Sequence, residues 1–291
     1  MSFTSISKTK GSIPSAEGLP IYYDLYTPSA TPGSVFEVIL FVHGFKGFKD
    51  WGAFPDACEE LARNGFAVLA FNQSRNGVGE NMFDFDELDL FADQTLSSDL
   101  DDIGLVIEAL KNKEITNSRA VLDTDKMGII GHSRGGHTAV AAAAEYPEIH
   151  CLVTWSAVKN YNERWSREMI SDWESRGYTE IQNARTGQTM RINKRVYDDA
   201  VANAERLMAS NRVKELHIPC LFIAGKNDEA VPFKESEELH RLCPSEEKEL
   251  RIIDDTGHTF DVGHPFEEDD FPTPFAEVLD FTETWFLEYL R

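Results

Sequence analysis

The sequence lacks the long apolar segments that would tie it to a membrane. No apolar run among its 291 residues approaches the roughly 18 residues that a membrane-spanning helix needs. The first fifteen residues, MSFTSISKTKGSIPS, contain no apolar stretch of the length found in secretory signal peptides. We therefore expect a cytoplasmic protein that has no membrane partner.

Basic residues and cysteines are also scarce. The chain has 28 Lys and Arg against 50 Asp and Glu, and its formal net charge of −22 would repel the phosphate backbone of a nucleic acid. The four cysteines, Cys58, Cys151, Cys220 and Cys243, form no CxxC pair, so neither a zinc site nor a disulfide framework is indicated. The short acidic runs are typical of solvated surfaces. We expect no metal, no organic cofactor and no nucleic-acid partner.

What the chain does contain is an alternation of short apolar runs with longer amphipathic stretches. This alternation predicts an α/β fold with a mostly parallel central sheet and helices on both faces. The predicted parallel strands cover residues 36–42, 66–71, 127–130, 151–155, 220–224 and 250–253. The predicted helices cover residues 54–64, 96–112, 134–146, 234–242 and 274–290. Residues 19–26 are predicted to form an antiparallel edge strand, and no repeat or linker divides the single domain of residues 1–291.

One segment interrupts the alternation. Residues 157–216 separate two predicted strands by far more than one crossover helix requires, and insertions of this kind are often lids. We interpret the segment as a cap with helices at 161–176 and 197–210 and a small hairpin around Gly187. Its aromatic residues Trp165, Trp173 and Tyr178 are candidates for substrate contacts. The alternative is that they dock the cap onto the domain.

A nucleophile is predicted at Ser133. Residues 131–135, GHSRG, follow a predicted strand and open an alanine-rich helix, which is the context that gives a GxSxG pattern its meaning. A sharp turn at this point pushes the serine hydroxyl out of the backbone, and glycine is needed where a Cβ would strike the strand or the helix. Gly131 and Gly135 occupy these positions.

A serine hydroxyl needs a base, and the base needs a group that orients it. Among eight histidines, His258 is the best candidate because it follows the last predicted strand, although His43 and His264 are not dismissed. Asp228 directly follows another buried strand and is the candidate orienting acid. The chain order of serine, acid and histidine is that of the α/β-hydrolase triad.

The remaining candidates surround the nucleophile. The backbone N–H groups of Phe45 and Arg134 are predicted to form the oxyanion hole, because both follow predicted strands next to the reacting carbonyl. His43 is expected to brace the Phe45 loop by a hydrogen bond or to contact the substrate. Arg75 is a candidate for binding a substrate carboxylate, and the alternative is an ion pair with Asp84 or Asp86.

These motifs resemble the α/β-hydrolase superfamily across nearly the whole chain. The resemblance rests on HGF at 43–45, GHSRG at 131–135, KNDEAVP at 226–232 and GHTF at 257–260. It is greatest to the group that contains dienelactone-hydrolase-related proteins, cinnamoyl or feruloyl esterases and the catalytic domains of prolyl-oligopeptidase-like peptidases. The resemblance implies hydrolysis of an ester, thioester or amide through an acyl-enzyme. Dienelactone hydrolases carry cysteine at the position of Ser133, and haloalkane dehalogenases and epoxide hydrolases carry aspartate there.

Three functions remain open from the sequence. The first is a carboxylesterase-like serine hydrolase that acts on esters of small to medium acyl groups. The second is an aminopeptidase or amidase with the same triad and a short peptide substrate. The third is a non-catalytic ligand-binding protein with a hydrolase fold, against which the intact set of Ser133, Asp228 and His258 argues. The sequence does not determine the oligomeric state.

Overall fold

The computed structural model describes residue 3 and residues 5–291 of the chain. The strands in chain order are β1 (Ile6–Pro14), β2 (Pro20–Pro28), β3 (Ser34–Val42), β4 (Ala67–Phe71), β5 (Ala120–His132), β6 (Ile149–Trp155), β7 (Tyr178–Gln182), β8 (Thr189–Asn193), β9 (Cys220–Gly225) and β10 (Lys248–Ile253). Eight of them form one sheet in the order β1-β2-β4-β3-β5-β6-β9-β10, and β7 pairs with β8 alone.

Helices connect most of these strands. They are α1 (Phe54–Arg63), α2 (Leu88–Ala92), α3 (Leu96–Lys111), α4 (Arg134–Glu145), α5 (Arg167–Arg176), α6 (Lys194–Ala202), α7 (Ala204–Leu207), α8 (Ala209–Arg212), α9 (Lys234–Leu242) and α10 (Thr273–Tyr289), with 3₁₀ turns at Tyr161–Arg164 and Val213–Glu215. The predicted α/β-hydrolase fold is confirmed, because the six predicted central strands are parallel to one another.

The prediction that residues 19–26 form an edge strand is wrong. β2 is antiparallel to β4 as expected, but it is not at the edge, because β1 pairs with it from Ile6 opposite Pro28 to Pro14 opposite Pro20. β1 carries only two isoleucines among mostly exposed polar residues. A strand that buries so little apolar surface has no clear hydrophobic pattern, so the sequence does not reveal it.

The sheet is buried on both faces by separate apolar clusters. Along β3, Val38 and Leu40 belong to the cluster that contains residues of α3, α4 and α9, whereas Ile39 and Phe41 belong to the cluster that contains residues of α1 and α10. This alternation is the period of two that a strand imposes on its side chains. Helices therefore cover the central strands on both faces, and the loops at the carboxyl ends of those strands carry the candidate site.

The residues between β6 and β9 form the cap-like insertion. β7 and β8 pair as an antiparallel hairpin, and α5 and α6 flank it. A third apolar cluster joins Trp173, Met190 and Ile192 of this insertion to Phe48 and Phe91 of the main domain. The insertion is thus docked on the loops next to the site by side chains that are almost fully buried.

Two further findings concern the whole chain. No helix among the described residues is both long and apolar enough to cross a membrane. All four cysteines are buried and unpaired.

Candidate active site

Ser133 occupies a strained turn between a strand and a helix. β5 ends at His132, α4 begins at Arg134, and Ser133 between them has φ of 57° and ψ of −117°. A non-glycine residue in such a conformation costs on the order of 1–3 kcal/mol and persists only where its surroundings enforce it. A Cβ at Gly131 would lie 2.3 Å from the Gly135 carbonyl oxygen, and one at Gly135 would lie 2.2 Å from the Val42 carbonyl oxygen. Glycines on either side of the serine therefore allow the turn.

The structure brings the three predicted triad residues together. His258 Nε2 lies 3.0 Å from Ser133 Oγ, and His258 Nδ1 lies 2.7 Å from Asp228 Oδ2. The other carboxylate oxygen, Asp228 Oδ1, accepts hydrogen bonds from the backbone N–H groups of Ala230 at 2.9 Å and Val231 at 2.8 Å. Both oxygens of the carboxylate are therefore held, and this orientation fixes the imidazole ring against the serine.

A close approach of two loops positions the acid and the histidine. The Asn227 N–H donates to the Thr256 carbonyl at 2.9 Å. These two residues come shortly before Asp228 and His258 in the sequence. A Cβ at Gly225, the last residue of β9, would lie 2.3 Å from the Gly257 carbonyl oxygen. Glycine at 225 is required for the loops to meet. The sequence motif alone did not indicate this contact.

Two pKa shifts keep the site in the expected charge state. Burial raises the pKa of the Asp228 carboxyl, but the hydrogen bond and charge of His258 and the Val231 N–H outweigh it and hold the pKa below its ordinary value. Burial, followed by the neighbouring charge of His258, lowers the pKa of His132 to about 3. The neutral His132 ring donates from Nε2 to the His258 carbonyl oxygen at 3.0 Å, so it steadies the loop that carries His258.

The predicted oxyanion donors belong to two segments that adjoin the nucleophile. Phe45 is in the turn closed by the hydrogen bond from the Gly47 N–H to the Gly44 carbonyl at 3.0 Å, and Arg134 is the first residue of α4. Among the described residues neither N–H donates to another protein group. The first N–H groups of a helix have no partner within the helix, which leaves the N–H of Arg134 available. A Cβ at Gly44 would lie 2.9 Å from Ser133 Cβ, so glycine lets this loop rest against the serine.

The side chain of Arg134 points away from the site. Its guanidinium lies 2.7 Å from the buried Asp99 carboxylate and donates to the Gln94 carbonyl at 3.1 Å. It also lies over the rings of Phe45 and Tyr161. The side chain of Arg134 is therefore engaged away from the pocket, where it fixes the start of α4.

A pocket of about 340 Å³ opens above Ser133. The main domain and the hairpin turn between β7 and β8 both contribute to its wall. The lining residues are Gly44, Phe45, Lys46, Gly47, Trp51, Phe54, His132, Ser133, Asn183, Ala184, Arg185, His258, Thr259 and His264.

Five side chains predicted to contact substrate do not line this pocket. One is Tyr178, whose ring lies under the guanidinium of Arg191. Trp173 is buried, and its Nε1–H donates to the Ile192 carbonyl at 2.9 Å. The ring of Trp165 packs edge-on against Trp173 and also against Tyr161. The indoles of both tryptophans pack against neighbouring side chains of the apolar clusters. This packing fits the alternative interpretation, in which the two tryptophans dock the cap onto the domain.

His43 and Arg75 are the other two corrections. His43 is buried, and its Nδ1–H donates to the Gly44 carbonyl at 2.9 Å, which is the bracing contact and not a substrate contact. Burial lowers its pKa to about 4. Arg75 pairs with Glu17, on the loop between β1 and β2, and not with Asp84 or Asp86. The pairing with Glu17 could not be expected while β1 itself was missing from the predicted sheet.

The pocket also has lining residues that the sequence analysis missed. Lys46 and Trp51 follow the Phe45 loop, and Asn183, Ala184 and Arg185 form the tip of the cap hairpin. The pattern around Gly187 predicted the hairpin, but it carries no signal for which end approaches the nucleophile. His264, which the sequence offers as an alternative base, instead accepts a hydrogen bond at Nδ1 from the Gly52 N–H at 2.8 Å.

Among the described residues no group of three or more His, Cys, Asp or Glu side chains is arranged to hold a metal ion. The groups gathered around Ser133 are those of nucleophilic acyl transfer: a hydroxyl, a base, an acid and free N–H donors.

Known proteins are similar to this chain in sequence. Residues 60–288 match the family described as "Prolyl oligopeptidase family". The chain is 27% identical over 260 residues to the protein named "Putative esterase YitV" of Bacillus subtilis (strain 168), and the match covers 87% of this chain and 89% of YitV.

Solved structures share the fold. Est1E from Butyrivibrio proteoclasticus with bound ferulic acid superimposes with a TM-score of 0.71 at 22% identity, over 96% of this chain and 99% of Est1E. A dienelactone hydrolase from Anabaena variabilis superimposes with a TM-score of 0.62 at 20% identity, over 98% of this chain and 99% of the other. At these identities the likeness concerns the fold.

Proposed function

Because the chain is a hydrolase that belongs to the prolyl oligopeptidase family, we propose that it cleaves carboxylic esters of small to medium acyl groups through an acyl-enzyme on Ser133. The observation that carries the proposal is the continuous chain of contacts from Ser133 Oγ to His258 Nε2 at 3.0 Å and from His258 Nδ1 to Asp228 Oδ2 at 2.7 Å. An isolated serine is not an adequate nucleophile at neutral pH, and this chain of contacts supplies what it lacks.

In the first half of the proposed reaction, Ser133 Oγ attacks the ester carbonyl while its proton passes to His258 Nε2. Asp228 stabilises the imidazolium that forms. The N–H groups of Phe45 and Arg134 bind the oxyanion, and the protonated His258 then gives its proton to the departing alcohol. In the second half, His258 takes a proton from water, the hydroxide attacks the acyl-enzyme, and Ser133 leaves with the proton returned to it.

The charge of the pocket favours an ester over the substrate of an aminopeptidase. An aminopeptidase must hold a free ammonium group, which calls for a carboxylate near the nucleophile. No Asp or Glu is among the described residues that line the pocket, whereas Lys46 and Arg185 both line it. The name of YitV as an esterase and the ferulic acid bound to Est1E support the same choice.

The proposal is tested by covalent labelling with a fluorophosphonate, followed by mapping of the labelled peptide by mass spectrometry. We expect the label on Ser133 and turnover of p-nitrophenyl esters. Replacing the nucleophile in Ser133→Ala should abolish labelling and reduce kcat about 10⁶-fold. Ser175→Ala, an exposed serine in the cap, is the matched control that should retain both.

A panel of aminoacyl anilides measured beside the esters separates the candidate functions. Faster cleavage of the anilides would favour the aminopeptidase. A folded protein that neither labels nor turns over either class, but retains a ligand, would favour the non-catalytic binding protein.

A further inference from the structure

The pocket above Ser133 combines aromatic side chains with hydrogen-bond donors and cations, in a protein of net charge −22. Two basic side chains, those of Lys46 and Arg185, line it, and no carboxylate among the described residues does. With 50 acidic residues in the chain, a wall formed without any of them is a specific feature. We call four side chains of this wall the donor cluster: Lys46, Asn183, Arg185 and His264.

Asn183 presents a donor that has no partner. The residue is 5% exposed, and its Oδ1 accepts from the Arg185 N–H at 3.1 Å, which fixes the orientation of the amide. Among the described residues its buried Nδ2 forms no hydrogen bond. Buried amide groups are almost always satisfied, and Asn183 lines the pocket, so a ligand bound there is a candidate for the missing acceptor.

His264 adds a second donor. The Gly52 N–H donates to its Nδ1 at 2.8 Å, so Nδ1 is unprotonated and the proton of the neutral ring is on Nε2. Burial lowers the pKa of His264, which maintains this neutral form. The ring is held by Trp51, which stacks on it, and by Phe48, which meets it edge-on. Its Nε2–H is therefore a positioned donor.

The two cations of the cluster are weakly neutralised. Among the described ion pairs Lys46 has none, and Arg185 has one long contact of 3.5 Å to Asp84, whose side chain is 64% exposed. An exposed pair of this length contributes little. Asp50, the other carboxylate whose charge acts on His264, is paired with Lys49. Neither Asp50 nor Asp84 lines the pocket.

We propose that the donor cluster binds a carboxylate of the substrate, so that the preferred substrates are esters that carry an ionised carboxylate in addition to the ester group. A carboxylate offers acceptors to the Asn183 amide and the His264 ring, and its charge is opposite to that of Lys46 and Arg185. This inference rests on the proposed function, since the carboxylate is part of the ester that Ser133 attacks.

Matched pairs of esters test the proposal. For a carboxylate on the acyl side, kcat/KM is compared between mono-p-nitrophenyl adipate and p-nitrophenyl hexanoate. For a carboxylate on the alcohol side, it is compared between p-acetoxybenzoate and p-acetoxybenzamide. We expect one of the two charged esters to be preferred about tenfold or more, the scale of a charge-assisted hydrogen bond. Which pair shows the preference identifies the side that carries the carboxylate.

Variants connect the preference to the donor cluster. Arg185→Gln and Lys46→Gln should each lower the ratio of kcat/KM, charged ester over neutral ester, about tenfold. The control is Arg191→Gln, which removes the same charge from the same hairpin, where the guanidinium lies over the Tyr178 ring outside the pocket. It should leave the ratio unchanged. Raising the salt concentration from about 0.01 to 1 M should also lower the ratio.

The outcomes separate this inference from the proposed function. Turnover of the neutral esters with no preference for either charged ester, or a ratio insensitive to both Arg185→Gln and Lys46→Gln, would overturn the donor cluster while leaving the esterase intact. Absence of turnover and of labelling at Ser133 would instead overturn the proposed function.

Discussion

Asp228 determines which nitrogen of His258 carries the proton. Its Oδ2 can only accept, so it requires a proton on Nδ1 and leaves Nε2 free to receive the proton of Ser133. The two N–H groups that bind Oδ1 hold the carboxylate in this orientation. At the scale of a single residue, the proposed mechanism therefore requires an oxygen atom of Asp228 opposite His258 Nδ1.

The variant Asp228→Asn tests this dependence. Its Oδ1 would keep the bonds from Ala230 and Val231, so its Nδ2 would face His258 and reverse the tautomer of the ring. We expect kcat for a p-nitrophenyl ester to fall about 10⁴-fold with little change in melting temperature. Asp254→Asn, at an exposed aspartate paired with Lys226, is the control. Activity of Asp228→Asn within tenfold of the unchanged protein would contradict the assigned role.

At the scale of elements, the cap is held by apolar packing around Trp173. The indole is 1% exposed, stacks on Tyr197, and belongs to the cluster that contains Phe48 and Phe91 of the main domain. Because the hairpin tip at Asn183 and Arg185 forms one wall of the pocket, this packing also sets the position of that wall.

Removing the indole should loosen the cap. We expect Trp173→Ala to lower the free energy of unfolding by about 3–5 kcal/mol, the range for an aromatic residue in a core, and to speed hydrogen exchange in the cap. Urea unfolding and exchange mass spectrometry measure the two effects. The milder variant Trp173→Phe should retain most of the stability and the KM. A large rise in KM for Trp173→Phe at unchanged stability would instead mean that the indole contacts substrate.

The sequence predicts the elements that bury continuous apolar runs and misses those that do not. The six parallel strands and the residues of the triad follow from such runs and from the order of the motifs that end them. The predicted cap helix 161–176 is divided in the structure, because Ser166 accepts from the Met169 N–H and starts α5 anew. The direction of the hairpin tip depends on packing between distant segments, which no local pattern encodes.

At the scale of the whole molecule, three buried histidines make stability depend on pH. Burial lowers the pKa of His43 to about 4, of His132 to about 3 and of His137 to about 4, from an ordinary value of 6.5. Between about pH 4 and 6.5, these histidines therefore bind protons in the unfolded chain and stay neutral in the folded chain. Their contribution to stability is complete above about pH 6.5 and is lost as the pH falls. Asp102, whose pKa burial raises to about 7, acts in the opposite direction.

The variant His137→Asn isolates one of these contributions. Asparagine can keep the donor that His137 Nδ1 offers to the Val158 carbonyl, but it does not titrate. Between about pH 6.5 and 4 the unchanged protein should lose about 1.4 kcal/mol of unfolding free energy per pH unit more than the variant does. Urea unfolding of both proteins at several pH values measures the difference. Parallel curves would show that His137 is not held neutral by the fold.

The separation of the hairpin from the central sheet has a consequence for evolution. β7 and β8 pair only with each other, so a mutation or insertion at their turn leaves the register of every strand that carries the triad unchanged. Selection for a new substrate can act on that turn while the reaction chemistry is inherited intact. Proteins that descend from one such gene can therefore differ in substrate specificity while they keep the same catalytic mechanism.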